Sequence, residues 1–581
     1  MYIILFTLFC LIIGLVFLFS WKKQYPKQFK RVPKVILKHT TNIERDGFSK
    51  KKIPHNIDCI VIGSGIGGLT TAGLLSRVGK KVLVLEQHYI AGGSTHSFED
   101  GGFEFDTGIH YVGNISSRER ILKLITNKDI KWLALGYDNN KIYDKLVIGD
   151  DIYNFQQGKE RMIDYLSQLF PEEAKNIEKY ITFVKKVAKM ELFFLLKIVK
   201  PVCLARIISY YCCNEFHTLA NKSVKKVLDE YFTNDRLKAI IGGLSIDGGP
   251  PPSEQSFFIH ASILNHFIEG GYYPINGCGV IAKNIIPIIE EAGGRVLVRA
   301  PVEEIIIEDG KACGVIVKGN KIYAKTIISN AGIRNTYHKL LPNCIGKNYF
   351  DDVLSSIPSE LSYNFLFVGL KGTKEELGLN SSNIYLWSEN SFDEAVKKYE
   401  SDPFSGKHLP PMFIASSSAK DILYNERYPN KSTVCIISWS KTDMFNTQNV
   451  PRKRKDINYL EKKKKVEDFM WEALFKHFPL SKDKVVYSST STSESVKHYL
   501  GSYNGECYGL DATTNRFNYF KMKPKTNIPN LYLTGQDIVT SGFAGAITAG
   551  ILTASDILGY GTLLDIATGR DLIKDLERMS L

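Results

Sequence analysis

The sequence predicts an α/β fold, in which a Rossmann-like domain carries an inserted α+β domain behind an N-terminal membrane segment. Three observations predict it: a glycine-rich turn between two apolar strands, a second strand-turn-helix unit near the C-terminus, and an uncharged run at the N-terminus. Hydrophobic residues make up 44% of the 581 residues and charged residues 23%, which is typical of folded domains. This composition excludes a wholly disordered or multi-span membrane protein.

The N-terminus is apolar and is followed by basic residues. No charge occurs from Tyr2 to Trp21, and about 20 apolar residues suffice to span a membrane. An uncleaved anchor is favoured over a cleaved signal peptide, because no basic residue precedes Tyr2 and small residues are missing at a cleavage site. Residues 22–52 hold eleven Lys and Arg against two acidic residues, so they supply most of the net charge of +13. This location favours a membrane surface over nucleic acid as the partner.

One βαβ unit follows, in IDCIVIGSGIGGLTTAGLLSRVGKKVLVLEQHYIAGG. Its GxGxxG turn suits the approach of a diphosphate to the helix N-terminus. Glu86 ends the second strand, where a carboxylate binds ribose hydroxyls and repels a 2′-phosphate, so FAD or NAD is preferred over NADP. A glycine-rich turn without a ligand is the alternative. The residues predicted to bind the cofactor here are Gly63, Ser64, Gly65, Gly67, Gly68, Glu86, Gln87, Gly92 and Gly93.

The C-terminal segment IPNLYLTGQDIVTSGFAGAITAGILTASDIL separates FAD from NAD. It is similar to the second strand-turn-helix of flavoproteins of the glutathione-reductase type, which returns beside the first βαβ unit. That similarity implies that Asp537 holds the ribityl and pyrophosphate region and that the helix after Gly542 faces the flavin pyrimidine. Gly535 and Ala544 belong to the same predicted site, and Val302 is expected near the adenine. An ordinary packing helix rich in alanine is the alternative.

The predicted organisation alternates cofactor-binding and substrate-binding segments. Alternating strands around Asp309 and Gly310 predict a hairpin, and YNFLFVGL and TVCIISWS predict strands of a substrate sheet. The predicted segments are an anchor or signal peptide at 1–21, a basic linker at 22–56, FAD-binding parts at 57–130, 270–345 and 525–581, a helical substrate region at 131–269, and substrate-domain sheet and helices at 346–524.

The chain resembles the phytoene-desaturase and carotenoid-isomerase type of FAD enzymes. IGSGIGGL with LEQH and AGG, GGYYPINGCG and LYLTGQD carry this resemblance. Within the group, GFEFDTGIHYVG and CYGLDATTNRF are more similar to the retinol saturases, which are all-trans-retinol 13,14-reductases. The resemblance implies a flavoenzyme that saturates a double bond of a polyene isoprenoid, converting all-trans-retinol to 13,14-dihydroretinol.

The resemblance also implies a proton donor beside the flavin, and His110 and Tyr111 are the candidates. A histidine in a packed turn is more often structural than catalytic, so both roles stay open for His110. The sequence shows one clear dinucleotide site, so either NAD(P)H visits the flavin transiently as electron donor or the electrons come from another protein. Two other functions stay open: a carotenoid isomerase or desaturase with the same flavin site, and a lipid-binding escort protein of the GDP-dissociation-inhibitor type.

Location and partners follow from the same features. The anchor and its basic flank predict an endoplasmic reticulum membrane protein with a lipophilic polyene substrate. FVKKVAKMELFFLLKIVKPVCLARIISYYCC fits either an interfacial segment at the bilayer or a buried helix pair broken at Pro201. PRKRKDINYLEKKKKVEDFMWEALFKHF has apolar residues at helical spacing, so its lysines are interpreted as a solvated helix face rather than a nuclear signal. The ten scattered cysteines form no CxxC pair, so no metal site is predicted.

Overall fold

The computed structural model describes residues 42–343, 346–445, 456–559, 562, 563 and 566. The predicted anchor at 1–21 and most of the basic linker therefore lie outside the described residues. Among the helices that are described, none combines the length and apolar character that crossing a membrane requires.

A five-stranded parallel sheet forms the first layer. Its strands are, in spatial order, Arg295–Leu297, Val82–Leu85, Cys59–Ile62, Thr326–Ser329 and Leu531–Leu533. Parallel strands covered on both faces are almost continuously apolar, and Cys59–Ile62 and Val82–Leu85 are buried at every position. The sheet thus joins the N-terminal βαβ unit to the C-terminal strand, as the sequence predicts.

Helix Ile66–Arg77 packs between this sheet and two further helices, Val280–Glu291 and Gly542–Leu558. Every residue of Ile66–Arg77 except Arg77 is buried. The first and last cofactor segments of the sequence therefore lie side by side.

A seven-stranded mixed sheet forms a second layer. Its strands are, in spatial order, Val485–Ser491, Leu361–Lys371, Lys431–Lys441, Met412–Ala415, Asn383–Trp387, Ile142–Ile148 and Asp151–Gln156. YNFLFVGL and TVCIISWS lie in the second and third of these strands, which pair antiparallel over their whole length. The prediction that both segments are strands is confirmed.

Three small sheets complete the strands. They are the hairpin Ser97–Asp100 with Phe103–Asp106, the set Val112–Gly113, Gly271–Pro274 and Trp132–Ala134, and the set Val302–Glu308, Lys311–Val317 and Asn320–Tyr323. The predicted hairpin turn is present, since Asp309 and Gly310 both have positive φ between paired strands.

Helices pack against strands of both large sheets. The remaining α-helices are Ser116–Ile125, Lys159–Leu169, Ala174–Val187, Leu192–Leu196, Val202–Cys212, Asn214–Ala220, Val224–Tyr231, Asp235–Gly243, Phe257–Phe267, Ile333–Asn335, Asp351–Ser356, Phe392–Ser401, Ser417–Lys420, Tyr424–Arg427, Ile457–His477 and Ser493–Leu500. Ile457–His477 buries Val466, Phe469, Met470, Ala473 and Leu474. The lysine-rich segment is therefore helical with one buried face, as predicted.

Candidate functional site

One cavity of about 1780 Å³ runs between the two large sheets. Pockets for single drug-sized ligands measure about 300–1,000 Å³, so this cavity has room for more than one such ligand. The predicted site residues that line it are Gly63, Gly65, Gly67, Glu86, Gln87, Gly93, His110, Tyr111, Val302, Gly535, Asp537, Gly542 and Ala544. The cavity thus brings together segments from both ends of the chain.

Ser64, Gly68 and Gly92 support the cavity from behind its wall. The Ser64 N–H and hydroxyl donate to Glu86 Oε2 at 2.8 and 2.7 Å, and the Gly92 N–H donates to Ser64 Oγ at 3.0 Å. A Cβ on Gly68 would lie 2.4 Å from the Gly63 carbonyl oxygen. Gly68 therefore permits helix packing, whereas Ser64 orients the Glu86 carboxylate.

Glu86 is held in place before any ligand binds. Its Oε1 accepts the His88 N–H at 2.8 Å, so the carboxylate has fixed partners on both oxygens. The carboxylate still faces the cavity, and each carboxylate oxygen has more than one lone pair available. A ribose hydroxyl can be bound there without rearrangement of the side chain.

Glycines from three segments meet at the turn. A Cβ on Gly67 would lie 2.8 Å from Gly535 Cα, and a Cβ on Gly93 would lie 2.8 Å from Gly65 Cα. Asn330 fills the gap, because a Cβ on Gly65 would meet its Nδ2 at 2.9 Å and a Cβ on Gly535 its Oδ1 at 2.5 Å. Glycine backbone atoms and the Asn330 amide therefore form a close-packed wall where a diphosphate would pass.

Two helix N-termini point into the same region. Helices Ile66–Arg77 and Gly542–Leu558 both begin without a side-chain cap from any described residue, and their first residues line the cavity. Uncapped N–H groups and the helix dipole favour negative charge. We call Gly63, Gly65, Gly67, Gly93 and Gly535 the glycine cradle. This cradle, the oriented Glu86 and the two helix ends fit a dinucleotide cofactor such as FAD.

Asp537 ties three distant segments together. Its Oδ2 accepts the Ile333 N–H at 2.8 Å and its Oδ1 accepts the Leu510 N–H at 3.1 Å. The fully buried Arg516 binds the carbonyl oxygens of Leu510 and Gln536, on either side of this contact. Of the charged groups near the buried Arg516, the Asp537 carboxylate stabilises the guanidinium cation most.

His110 lines the cavity as a neutral ring. Burial, reinforced by the charge of Lys420, lowers the pKa of His110 to about 3. Its Nε2 is buried and has no hydrogen-bond partner among the described residues, and its carbonyl oxygen accepts from Lys420 Nζ at 2.8 Å. His110 therefore offers a neutral imidazole to a ligand.

Beyond Tyr111 the cavity becomes apolar. Phe365, Ile437, Phe413 and Tyr385 are register partners on neighbouring strands, so they form one row across the second sheet, and all of them line the cavity. The Tyr111 ring stacks on Phe267 at 4.3 Å and lies 6.3 Å from Phe413. We call Phe267, Phe365, Phe413, Ile437 and Tyr385 the aromatic lobe.

Several site residues were not predicted from the sequence. Asn330 directly follows strand Thr326–Ser329, a position where parallel strands place ligand contacts, and this signal could have identified it. Arg516 lies in the CYGLDATTNRF segment without any pattern of its own, and Lys420 ends a four-residue helix. Within the part of the chain that the structure describes, no group of three His, Cys, Asp or Glu side chains is placed to hold a metal ion.

Comparison with protein families gives a match that covers most of the chain. The profile of the flavin containing amine oxidoreductases matches residues 66–558. Among solved structures, a putrescine oxidase bound to putrescine is similar with a TM-score of 0.56 at 15% identity, covering 87% of this chain and 99% of that one. Cyclohexylamine oxidase from Brevibacterium oxydans is similar with a TM-score of 0.55 at 14% identity, over 87% and 99%.

Curated relatives are more similar in sequence. An all-trans-retinol 13,14-reductase of Danio rerio is 38% identical over 90% of this chain and 89% of its own length. A second Danio rerio protein, named as an inactive all-trans-retinol 13,14-reductase, is 32% identical over 91% and 90%. A chloroplastic prolycopene isomerase of Daucus carota is 30% identical over 54% and 52%. Because one similar relative is named as a reductase and another as an inactive reductase, the geometry of the site has to support any assignment of activity.

Proposed function

Because the chain belongs to the flavin-containing amine oxidoreductase family, within the branch that includes the all-trans-retinol 13,14-reductases, we propose that it reduces a polyene isoprenoid. It is a FAD-dependent oxidoreductase that saturates a carbon–carbon double bond. The substrate that we propose is all-trans-retinol and the product is 13,14-dihydroretinol. One observation carries the proposal: a single cavity joins the glycine cradle to the aromatic lobe.

The proposed cofactor contacts follow from the geometry. Glu86 binds the adenosine ribose, the turn at Gly63 and Gly65 receives the diphosphate, and Asp537 faces the ribityl chain. The N-terminus of helix Gly542–Leu558 stabilises negative charge on the flavin pyrimidine. Bound FAD, once reduced, supplies a hydride.

The aromatic lobe suits a polyene better than a polar substrate. Aromatic and aliphatic side chains line it, and Tyr111 stacks between Phe267 and Phe413. A flat conjugated chain can lie against these rings, which fixes the double bond relative to the flavin. Such placement matters because an alkene without a conjugated carbonyl accepts hydride poorly, so orientation supplies part of the rate.

The direct test is product formation. Flavin-loaded full-length protein, reduced anaerobically and mixed with all-trans-retinol, is expected to yield dihydroretinol, as detected by chromatography and mass spectrometry. Parallel reactions with NADPH, NADH and dithionite test whether a pyridine nucleotide bleaches the flavin directly. Absence of dihydroretinol with every reductant would contradict the proposal.

A second enzymatic function has one supporting observation, the similarity to a prolycopene isomerase over 54% of this chain. A changed carotenoid isomer pattern without dihydroretinol in the same assay would favour this function. An escort protein would be purified colourless, whereas a flavoprotein is yellow and bleaches on reduction.

We also propose that the substrate enters from a membrane. The cavity reaches the surface at Lys189, Glu191 and Leu195, which line it and are exposed. Leu195 belongs to helix Leu192–Leu196, which contacts helix Val202–Cys212. The exposed apolar side chains of these two helices form what we call the apolar rim, namely Leu192, Leu195, Ile207, Tyr210 and Tyr211. Tyr210 and Tyr211 are 75% and 74% exposed, although aromatic side chains of this size usually bury most of their surface.

Charge around the apolar rim fits an anionic lipid surface. Lys185 is exposed near the end of the preceding helix and Lys189 in the loop after it, and Arg206 is exposed on the helix that carries Ile207. Basic side chains near a membrane surface contribute about 1 kcal/mol each. We propose attachment to the endoplasmic reticulum membrane through residues 1–21, with the apolar rim against the lipid.

Changing Leu192, Leu195, Tyr210 and Tyr211 together to serine is expected to raise the KM for retinol in phosphatidylcholine–phosphatidylserine vesicles about tenfold. A fully buried apolar side chain contributes about 1.5–3 kcal/mol, and a side chain that is partly buried in the membrane interface contributes a part of this binding free energy. The KM for retinol in detergent micelles stays unchanged. Leu480→Ser and Val486→Ser, at exposed positions that do not line the cavity, are the matched controls. An equal loss in micelles would contradict substrate entry from the membrane.

A further inference from the structure

Four oxygen-bearing side chains meet at the end of the aromatic lobe. The Tyr111 hydroxyl lies 3.0 Å from Asp144 Oδ2, 3.1 Å from Asp247 Oδ2 and 2.5 Å from the Tyr385 hydroxyl. The Tyr385 hydroxyl lies 2.9 Å from both oxygens of Asp247. We call these four residues the acid network.

The acid network has a cavity side and a buried side. Tyr111, Tyr385 and Asp247 line the cavity, whereas Asp144 lies behind them and is 1% exposed. The Asn383 amide donates to Asp144 Oδ1 at 2.7 Å and fixes that carboxyl. Asn383 and Tyr385 are two residues apart on one strand, so their side chains lie on the same face of the sheet. Asp144 is the register partner of Asn383 and therefore lies on that face too, with the aromatic lobe.

Counting hydrogens indicates that the acid network needs a donor besides its two tyrosine hydroxyls. Each tyrosine hydroxyl has one hydrogen to donate. Two such hydrogens cannot serve all of the contacts among Tyr111, Tyr385 and the two carboxyl groups. Two ionised carboxylates around one hydroxyl would also repel each other in a site with little water. A proton on one of the two carboxyl groups supplies the missing donor and removes the repulsion.

The electrostatics agree with this count. Burial raises the pKa of Asp144 to about 7 and that of Asp247 to about 6. Burial, with the nearby carboxyl groups, also keeps both tyrosines protonated by raising their pKa well above 10. The other titratable groups that act on the acid network are Lys420, Tyr143, Tyr363 and Tyr508.

Resting on the proposed function, we propose that the Tyr111 hydroxyl protonates the polyene and that Asp144, Asp247 and Tyr385 hold and replace its proton. One alkene carbon gains a hydride, with two electrons, from reduced FAD. The adjacent carbon gains the proton as the Tyr111 O–H bond breaks and a C–H bond forms. A carboxyl proton then passes to the Tyr111 oxygen, and the acid network regains one proton from water.

His110 lines the same cavity but carries no second ring proton near pH 7, because its pKa is about 3. Tyr111 is therefore the donor that this geometry favours of the two predicted candidates. Asp144 and Asp247 act through Tyr111, so they are positioning and recharging residues.

The kinetic test separates hydride acceptance from flavin reduction. Tyr111→Phe is expected to slow flavin reoxidation by retinol about 100-fold in a single turnover, since a general acid contributes about 10²–10⁴-fold. Flavin content and reduction by dithionite stay at wild-type levels. Tyr399→Phe is the control, because Tyr399 is buried outside the cavity and its hydroxyl has no partner among the described residues. Tyr385→Phe repeats the test if Tyr111→Phe is not recovered with flavin.

A second readout does not depend on activity. Infrared spectra of the resting, oxidised protein are expected to show a protonated carboxyl band that disappears in Asp144→Asn or Asp247→Asn. In the wild type, the steady-state rate of dihydroretinol formation is expected to fall as the pH rises through about 7, the pKa of the more basic carboxyl, because recharging of Tyr111 needs a protonated carboxyl. Failure of wild-type protein to form dihydroretinol would overturn the proposed function. Normal turnover in Tyr111→Phe, or unchanged infrared bands in both asparagine variants, would overturn the acid network alone.

Discussion

Asp537→Asn is expected to yield protein without flavin and to lower the free energy of unfolding by about 3 kcal/mol. Two effects of the carboxylate disappear together. It accepts the N–H groups of Ile333 and Leu510 on its two oxygens, and an asparagine can accept only one of them. A buried N–H group left without a partner costs about 1–3 kcal/mol.

The second effect is electrostatic. Arg516 is 1% exposed, and two carboxyl groups stabilise its charged form. Asp537 contributes more of this stabilisation. The other is Asp511, whose pKa burial raises to about 7, so that carboxyl is partly neutral near pH 7. Removing one partner of a buried charge pair costs about 3–5 kcal/mol when the charges are in contact. The cost is smaller here because Arg516 binds carbonyl oxygens rather than the carboxylate itself.

The measurements are visible absorbance after gel filtration and urea unfolding of the apoprotein. Asp150→Asn is the matched control, because its side chain is 99% exposed and makes only a surface ion pair with Lys476. If Asp537→Asn bound stoichiometric flavin and unfolded at the same urea concentration as the wild type, Asp537 would not be part of the flavin site. Loss of stability with normal flavin content would leave it a purely structural role.

The sequence predicts many of the residues that line the glycine-rich half of the cavity, because the signals for this half are local. The GxGxxG turn, Glu86 at the end of the second strand and the Gly-Gln-Asp turn each lie within one strand-turn-helix unit. Backbone conformation and helix N-termini determine such units, so a few consecutive residues suffice. The placement of Gly67 against Gly535 follows once both units join one sheet.

The acid network could not be predicted in the same way. Asp144 is one of two adjacent charged residues in the strand IYDKLVI, and Asp247 lies in a short 3-10 helix before a glycine- and proline-rich stretch. Each is typical of an ordinary strand or turn. Their proximity to Tyr111 and Tyr385 depends on the order of strands in a mixed sheet, which joins Ile142–Ile148 to Asn383–Trp387. Neither the hydrophobic periodicity nor the spacing of residues in the sequence predicts that order of strands.

Gly550→Leu is expected to abolish flavin binding by separating the two helices that form the cofactor site. A Cβ on Gly550 would lie 2.7 Å from Thr70 Cβ and 2.8 Å from the Gly67 carbonyl oxygen, and neither atom belongs to a flexible side-chain end. The two helices are joined further by the Thr71 hydroxyl, which donates to the Gly550 carbonyl oxygen at 3.4 Å. Overpacking a tight contact costs about 1–3 kcal/mol, occasionally more.

Gly550→Ala gives the sharper test, because its sign depends on this contact. Alanine in place of a helical glycine stabilises by about 0.5–1 kcal/mol when space is available. At Gly550 the clash is expected to reverse that sign, lowering the free energy of unfolding by about 1 kcal/mol and weakening flavin retention. Gly47→Ala and Gly47→Leu are the controls, since a Cβ at Gly47 meets no atom within 4 Å. If Gly550→Leu retained stoichiometric flavin, close contact between the N-terminal and C-terminal helices would not be needed to bind it. The site would then have to be sought in one half of the chain alone.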